Sequence, residues 1–273
     1  MSSYFKRTYS LLAGKRGSET ALKIGDSRIQ FSIKKTNKKS NNTAEIRIFN
    51  VSKTTASVFG DDKTIVTLVA GYEQGAGTGV VYSGDVSDIR TERSGADIVT
   101  VLELSEGSTI IRETAVSFSM SGVVNPVDMI NKIASSIGMP TSITTGKIRF
   151  YQSGFTAFGA PLDAIAKICR KINCSYSVES GVLNIWESVD GKKDVVVSLS
   201  PKTGLIGIPQ KIKIDDKNGW SVTSLLNPNA MPGARVSVSS KTVSGNLTMV
   251  NVTHDGDSHG GEWITTMEGQ IVS

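Results

Sequence analysis

The sequence predicts an α+β chain in which strands greatly predominate, with a β-rich module at each end and a small helix-containing unit between them. Ser, Thr, Val and Ile are plentiful while aromatic residues make up only 6%, a composition that favours strands over long helices. Alternation of apolar and polar residues recurs in both end regions, the pattern of half-buried strands. Helical spacing is confined to two stretches in the middle, opening at Pro126 and Pro161.

Taken in order, residues 4–12 read as a short extended segment broken by Gly14-Lys-Arg-Gly17. Residues 28–34 and 44–49 alternate cleanly and predict a long hairpin. Its connection, residues 34–42, holds Lys34, Lys35, Lys38 and Lys39, the most basic run of the chain. No aromatic residue is interleaved for base stacking, so this run reads as a solvated hairpin tip. Ser52 offers a helix cap, and residues 53–59 a short helix ending at Gly60. Strands are expected at 64–70, 80–90 and 97–106. The glycine-rich residues 71–79 lead into a strand, whereas a phosphate loop must open a helix, so they read as a hairpin loop.

In the middle, Asn125 caps Pro126, and Met129, Ile130, Ile133, Ala134 and Ile137 recur at helical spacing until Gly138. Leu162, Ile165, Ala166, Cys169 and Ile172 repeat the arrangement after Pro161. Strand-like sequence follows each helix, at 141–150 and 175–186, the second folding as a hairpin about Glu179-Ser180-Gly181. Asp190-Gly191 marks an exposed boundary, so the division expected is 1–112, 113–190 and 191–273. The last part opens with strands at 195–199, 204–214 and 220–225. Strands at 234–239, 245–254 and 262–267 follow, with tight reversals at Pro232-Gly233 and Asp255-Gly256. Trp263 is expected to anchor the last strand, its indole N–H requiring a partner.

At 273 residues the chain can bury cores without covalent staples, and its net charge of +5 is only mildly basic. No apolar run is long enough to span a bilayer, and the first residues lack the apolar stretch of a secretory leader. Folding in a cytoplasm is therefore expected, with Cys169 and Cys174 as reduced, partly buried thiols.

Both ends of the chain resemble the baseplate or tail-tip hub proteins of tailed bacteriophages, the tail-tube-like hubs of contractile tails. At the C-terminal end the resemblance rests on Pro232-Gly233, Val236, Gly245, Val250, Val252, His254, Gly256-Asp257 and Trp263-Ile264-Thr265. Asn246 stands where a bulky residue is usual, and Gly260-Gly261 precede Glu262, so the last turn differs in length. At the other end it rests on Ile46 to Ser52, Ala70-Gly71-Tyr72 and Ser83-Gly84-Asp85-Val86. The resemblance implies that the end modules are two similar tube-like β-barrels flanking the small α+β unit, and that three chains set six barrels around one channel. Such a homotrimer, with pseudo-sixfold symmetry, would adapt a hexameric tail tube, or its initiator, to a trimeric central spike. Tape-measure and wedge proteins are further partners, and DNA would pass without being read. The implied location is the virion tail, assembled in the bacterial host cytoplasm, with no membrane insertion.

The two histidines fall in His254-Asp255-Gly256-Asp257-Ser258-His259, and His254, Asp255, Asp257 and His259 form a donor set that a divalent ion could use. The glycines and a hairpin turn give the same stretch a purely structural account, and no metal or other cofactor is expected. No nucleophile elbow, zinc-protease helix or Cys-His pair occurs, so no enzymatic activity is expected. The structural family motif is then Pro232, Gly233, Gly245, His254, Gly256, Asp257, Trp263 and Thr265. Two alternatives differ in kind. A cell-wall or polysaccharide-binding module with weak hydrolase activity would be a monomer with an exposed aromatic platform. Nucleic-acid binding through Lys34 to Lys39 would depend steeply on salt.

Overall fold

The computed structural model describes residues 5–15, 21–37, 42–61, 64–74, 77–106, 115–144, 154–179, 181–187 and 192–271. The first module comprises β1 (Phe5–Lys15), β2 (Leu22–Ile24), β3 (Ile29–Thr36), β4 (Thr43–Phe49), α1 (Lys53–Phe59), β5 (Thr64–Gln74), β6 (Thr78–Ser94) and β7 (Asp97–Ser105). The middle unit comprises β8 (Val116–Met120), α2 (Pro126–Ser136), β9 (Thr141–Thr144), β10 (Phe155–Gly159), α3 (Pro161–Lys171), β11 (Cys174–Glu179) and β12 (Val182–Glu187). The last comprises β13 (Lys192–Leu199), β14 (Leu205–Ile214), β15 (Lys217–Leu225), β16 (Ala234–Ser239), β17 (Ser244–Asp257) and β18 (Trp263–Ile271). Strand therefore predominates and helices are few, as the composition predicts.

The two end modules form one 13-stranded sheet, ordered β14-β15-β18-β17-β3-β4-β7-β6-β5-β1-β2, with β16 and β13 branching from β17. Antiparallel pairing of β17 with β3, from Asn251 opposite Thr36 to Asp257 opposite Gln30, is the joint between them. No strand order closes on itself among the described residues, so no closed tube-like barrel of the kind the resemblance implies is found among them.

The end modules share a layout. In chain order β3, β4, β6 and β7 are four strands that lie in the sheet as first, second, fourth, third; β14, β15, β17 and β18 lie in the same order. Between second and third, each module inserts one further strand, β5 or β16, which pairs with the third. Each third strand bulges against its fourth, β6 between Val86 and Asp88 and β17 between Met249 and Asn251. A bulge bends a strand and increases its twist, so both modules curl at the same place.

One face of this sheet is apolar. Ile29, Phe31, Ile33, Ile46, Ile48, Leu102 and Leu104 alternate inward and pack with Leu11, Val66 and Leu68 of the outer strands. Trp263 and Leu226, from the last module, complete the same core. A second core fills the middle unit, where Met129, Ile130 and Ile133 of α2 meet Leu162, Ile165 and Ile168 of α3. Asn125 caps α2 by accepting from the Val127 N–H at 2.9 Å, whereas α3 opens at Ala160 without a side-chain cap. A third core joins Val222, Val236, Val238, Leu247, Val252 and Met267.

Several expectations are corrected. β1 continues through Gly14 to Lys15 because its register with β5 supplies ladder partners that far. β3 runs on to Thr36, so Lys34 and Lys35 belong to the strand rather than to a tip. Lys35 is buried, because alternation turns it to the core side opposite Val252. Lys38 and Lys39 lie outside the described residues. β2, β8 and β10 were not expected; β2 and β10 are short and lack sustained alternation, whereas Val116-Ser-Phe-Ser-Met120 of β8 alternates throughout and was overlooked.

Candidate functional site

The joint between the end modules gathers most of the motif residues. Trp263 opens β18 and is 1% exposed, its ring edge-on to Phe31 at 5.2 Å with 69° between planes. Its indole N–H donates to the Gly71 carbonyl at 3.1 Å, 192 residues away in the chain. Gly256 must be glycine here. A Cβ at that position would meet the Phe31 ring at 2.3 Å and the Trp263 ring at 2.8 Å, closer than any real contact allows.

Asp257 takes the bonds that lock β17 to the start of β3. Its carboxylate accepts from the Arg28 guanidinium at 2.6 Å and from Gln30 at 2.9 Å, and it also accepts from the His259 N–H at 2.9 Å. Burial pushes this carboxyl up, but those hydrogen bonds outweigh it and hold the pKa at about 2. Arg7 of β1 crosses the same corner, donating to the Asp257 and Gly261 carbonyls and lying over the Trp263 ring.

His254 is fully buried on the opposite face of β17. Thr265 Oγ1 accepts from the Asn227 N–H at 2.9 Å and shares a hydrogen bond with His254 Nδ1 at 2.9 Å. The other ring nitrogen, Nε2, is buried and has no partner of ordinary hydrogen-bond geometry. Burial lowers the imidazole pKa well below its usual value, and the nearby Lys35 ammonium adds to the effect. Pro232 and Gly233 do different work. Both are buried, Gly233 has φ of 79°, and a Cβ on it would meet the Trp186 ring at 2.4 Å, so the turn seats the middle unit on the last module. Gly245 is exposed in β17, away from the joint.

The four residues of the metal reading do not converge. His254 turns into the core, Asp255 lies on the polar face opposite Ser32, Asp257 is held by Arg28, and His259 is exposed with Nδ1 beside the Ser258 hydroxyl. Among the described residues no three His, Cys, Asp or Glu side chains are placed to hold one ion. A cavity of about 370 Å³ opens on the polar face beside the joint, lined in part by Gln30, Ser32, Glu45, Arg47, Asp255 and Glu262. Its lining offers carboxylates and one guanidinium, without a histidine or thiol. Cys169 and Cys174 are buried in the middle unit and form no disulfide, and burial raises the Cys169 thiol to about 12. No described helix is long and apolar enough to cross a membrane.

Sequence reading missed Arg7, Arg28, Gln30, Phe31 and Gly71 as partners of the motif. It also missed a buried polar fastening between the first module and the middle unit. Asn42 donates to Glu106 and to the Val178 carbonyl, each at 2.8 Å, and accepts from the Thr36 N–H at 2.9 Å. Strand alternation flags Phe31; no local signal marks the others, because their partners are remote in the chain.

What the geometry defines is a long sheet with an apolar face, a polar face and an internal joint between its two end modules. The same fold occurs in a 43 kDa tail protein of prophage MuSo2 from Shewanella oneidensis, with a TM-score of 0.67 and 10% identity over 97% of this chain and 98% of that one. A tail protein from Neisseria meningitidis MC58 matches with a TM-score of 0.67 and 9% identity over 97% and 96%. An Escherichia coli component of the type VI secretion system, itself described as similar to the T4 tail proteins gp27 and gp5, matches with 0.65 and 9% over 96% and 77%. Among curated proteins none matches the chain by sequence. The family model for baseplate hub gp41 matches residues 17–269. This chain belongs to that baseplate hub family of phage tails.

Proposed function

We propose that this protein is the structural hub of a phage baseplate, a homotrimer with pseudo-sixfold symmetry that joins a hexameric tail tube to a trimeric spike. The observation that carries the reading is the repeated layout of the two end modules, β3-β4-β7-β6 and β14-β15-β18-β17. A threefold spike cannot make equivalent contacts with a sixfold tube. Three chains that each hold the same strand layout twice can meet both symmetries. In the ring, the curved sheets close into tube-like walls between copies, with 1–112 and 191–273 as the duplicated parts and 113–190 as the connecting unit.

The polar face supports a channel. Asp255, Glu45, Glu103 and Asp88 fall in one row across β17, β3, β4, β7 and β6, with Ser32 between the first two. Arg47 and Arg90 are tied up bridging Glu45, Glu92 and Glu103. A wall of this kind repels phosphates, so DNA moves through unread although the chain as a whole is net positive. The role is structural rather than enzymatic, in the virion tail after assembly in the host cytoplasm, with tube, spike, tape-measure and wedge proteins as partners.

Light-scattering mass and negative-stain images of the purified protein test this. A trimeric ring with an open centre is expected; a single-copy particle overturns the reading. The polysaccharide-binding alternative needs an exposed aromatic platform, and among the described residues the exposed large apolar side chains include one aromatic ring, Phe158 on the middle unit.

A further inference from the structure

The internal joint has a counterpart that one chain cannot complete. β17 is longer than its partner β16, which pairs only with 244–248; the remainder, 251–257, takes β3 along its open edge. β6 has the same position in the first module. β5 pairs with it only over 78–85, and β7 occupies its other side from 85 to 94. Among the described residues, nothing pairs with the outer edge of 86–94. β3, which fills the corresponding edge of β17, is the first strand of its module, and the first strand of the other module is β14. Among the described residues β14 pairs in a ladder with β15 alone, with Ile206 40% and Ile208 69% exposed, and beyond that ladder its Pro209 carbonyl accepts from the Thr242 hydroxyl.

Resting on the hub reading, we infer that residues 88–94 of β6 in one copy pair antiparallel with 208–214 of β14 in the next copy, repeating between chains the β17–β3 joint within one. Strand direction agrees. The path from β14 to β6 has eight strands, each antiparallel to the last, so its two ends run oppositely. A rotation about an axis along the strands keeps those directions and brings the ends together antiparallel, as a head-to-tail contact that closes a ring. An open edge with apolar side chains is an aggregation hazard unless something covers it. A second copy covers it here.

The repeat also fixes the register. The two bulges match Ser87 with Val250. Through the ladders, Leu102 then matches Met267, Ile46 matches Val222, and Ser32 matches Gln210. Since Asp255 faces Ser32 and His254 faces Ile33, Glu92 faces Gln210 of the next copy and Thr91 faces Lys211.

Cysteine pairs test this on the full-length protein. Neighbouring pairs alternate between the wide and the close kind, and the close kind brings Cβ atoms to about 4.5–5.5 Å. One of the two pairs, T91C with K211C or E92C with Q210C, is therefore expected to oxidise to disulfide-linked multimers that reducing agent dissolves. The offset pair, T91C with Q210C, points to opposite faces and is expected to give none. The native thiols are buried and contribute little background. Multimers in the offset pair, or an oligomer of native mass with no link in either matched pair, overturn the seam and leave the hub reading standing. A single-copy mass for the unaltered protein overturns both.

Discussion

Two residues of the joint lose stability to acid in separate pH ranges, and each can be read out alone. His254 is neutral in the folded protein because its pKa lies well below the ordinary value of 6.5. The unfolded chain takes up a proton at this site below about pH 6.5 while the folded protein does not, so stability falls as the pH drops from 7 toward the folded pKa, by up to about 1.4 kcal/mol per pH unit. Asp257 acts with the same sign over a more acidic range. Its stabilisation is complete above about pH 4 and is lost as the pH falls through about 2. Urea midpoints measured from pH 7 to 5 should decline for the native protein, and the slope should flatten in His254→Gln, even though that variant begins less stable; an unchanged slope would exclude His254 as the source. Gly256→Ala should cost about 1–3 kcal/mol in the same assay, because Phe31 and Trp263 cannot both withdraw. These residues were legible as a motif, since glycine, His-x-Gly-Asp and a late tryptophan stand out in any sequence. Their partners were not, because Arg28, Phe31 and Gly71 lie roughly two hundred residues away and nothing local marks which strand they meet.

Among the elements, the helices were the most legible. Asn125-Pro126 and the helical spacing behind it give α2, while Pro161 and the same spacing give α3, whose N-cap Ala160 supplies no side-chain hydrogen bond. That difference predicts a gain: Ala160→Ser should accept an N–H of the first turn and raise stability by about 1 kcal/mol, visible as a higher urea midpoint. No change would mean that Ala160 cannot present its side chain to the helix. Strands were found wherever alternation ran unbroken, as in β3 and β4. β17 was harder to read, for a physical reason. Leu247 and Met249 are buried before the bulge, and Val252, His254 and Gly256 after it, so the inward phase shifts at Val250. Simple alternation carried across that point puts Asn251 inside and Val252 outside, the reverse of the burial observed.

For the whole molecule, the composition and spacing were enough to place strands at both ends and helices between, but not to reveal that the ends share a sheet. Pairing between β3 and β17 depends on which edges remain open after each module has folded, and edges are a property of the assembled sheet. Its consequence is testable by cutting the chain near Asp190. Without the C-terminal piece, the first module loses Trp263 and Leu226 from its core and the β17 partner of β3. Without the N-terminal piece, Trp263 loses Phe31 and the Gly71 carbonyl, and Asp257 loses Arg28 and Gln30. Fragments 1–190 and 191–273 should therefore be poorly soluble when made separately and co-purify as one folded complex when made together, with Trp263→Ala in the shorter piece weakening that association. Two pieces that each unfold cooperatively on their own, with the tryptophan change affecting neither their stability nor their association, would show that the joint is an accessory contact and that each end module carries its own complete core.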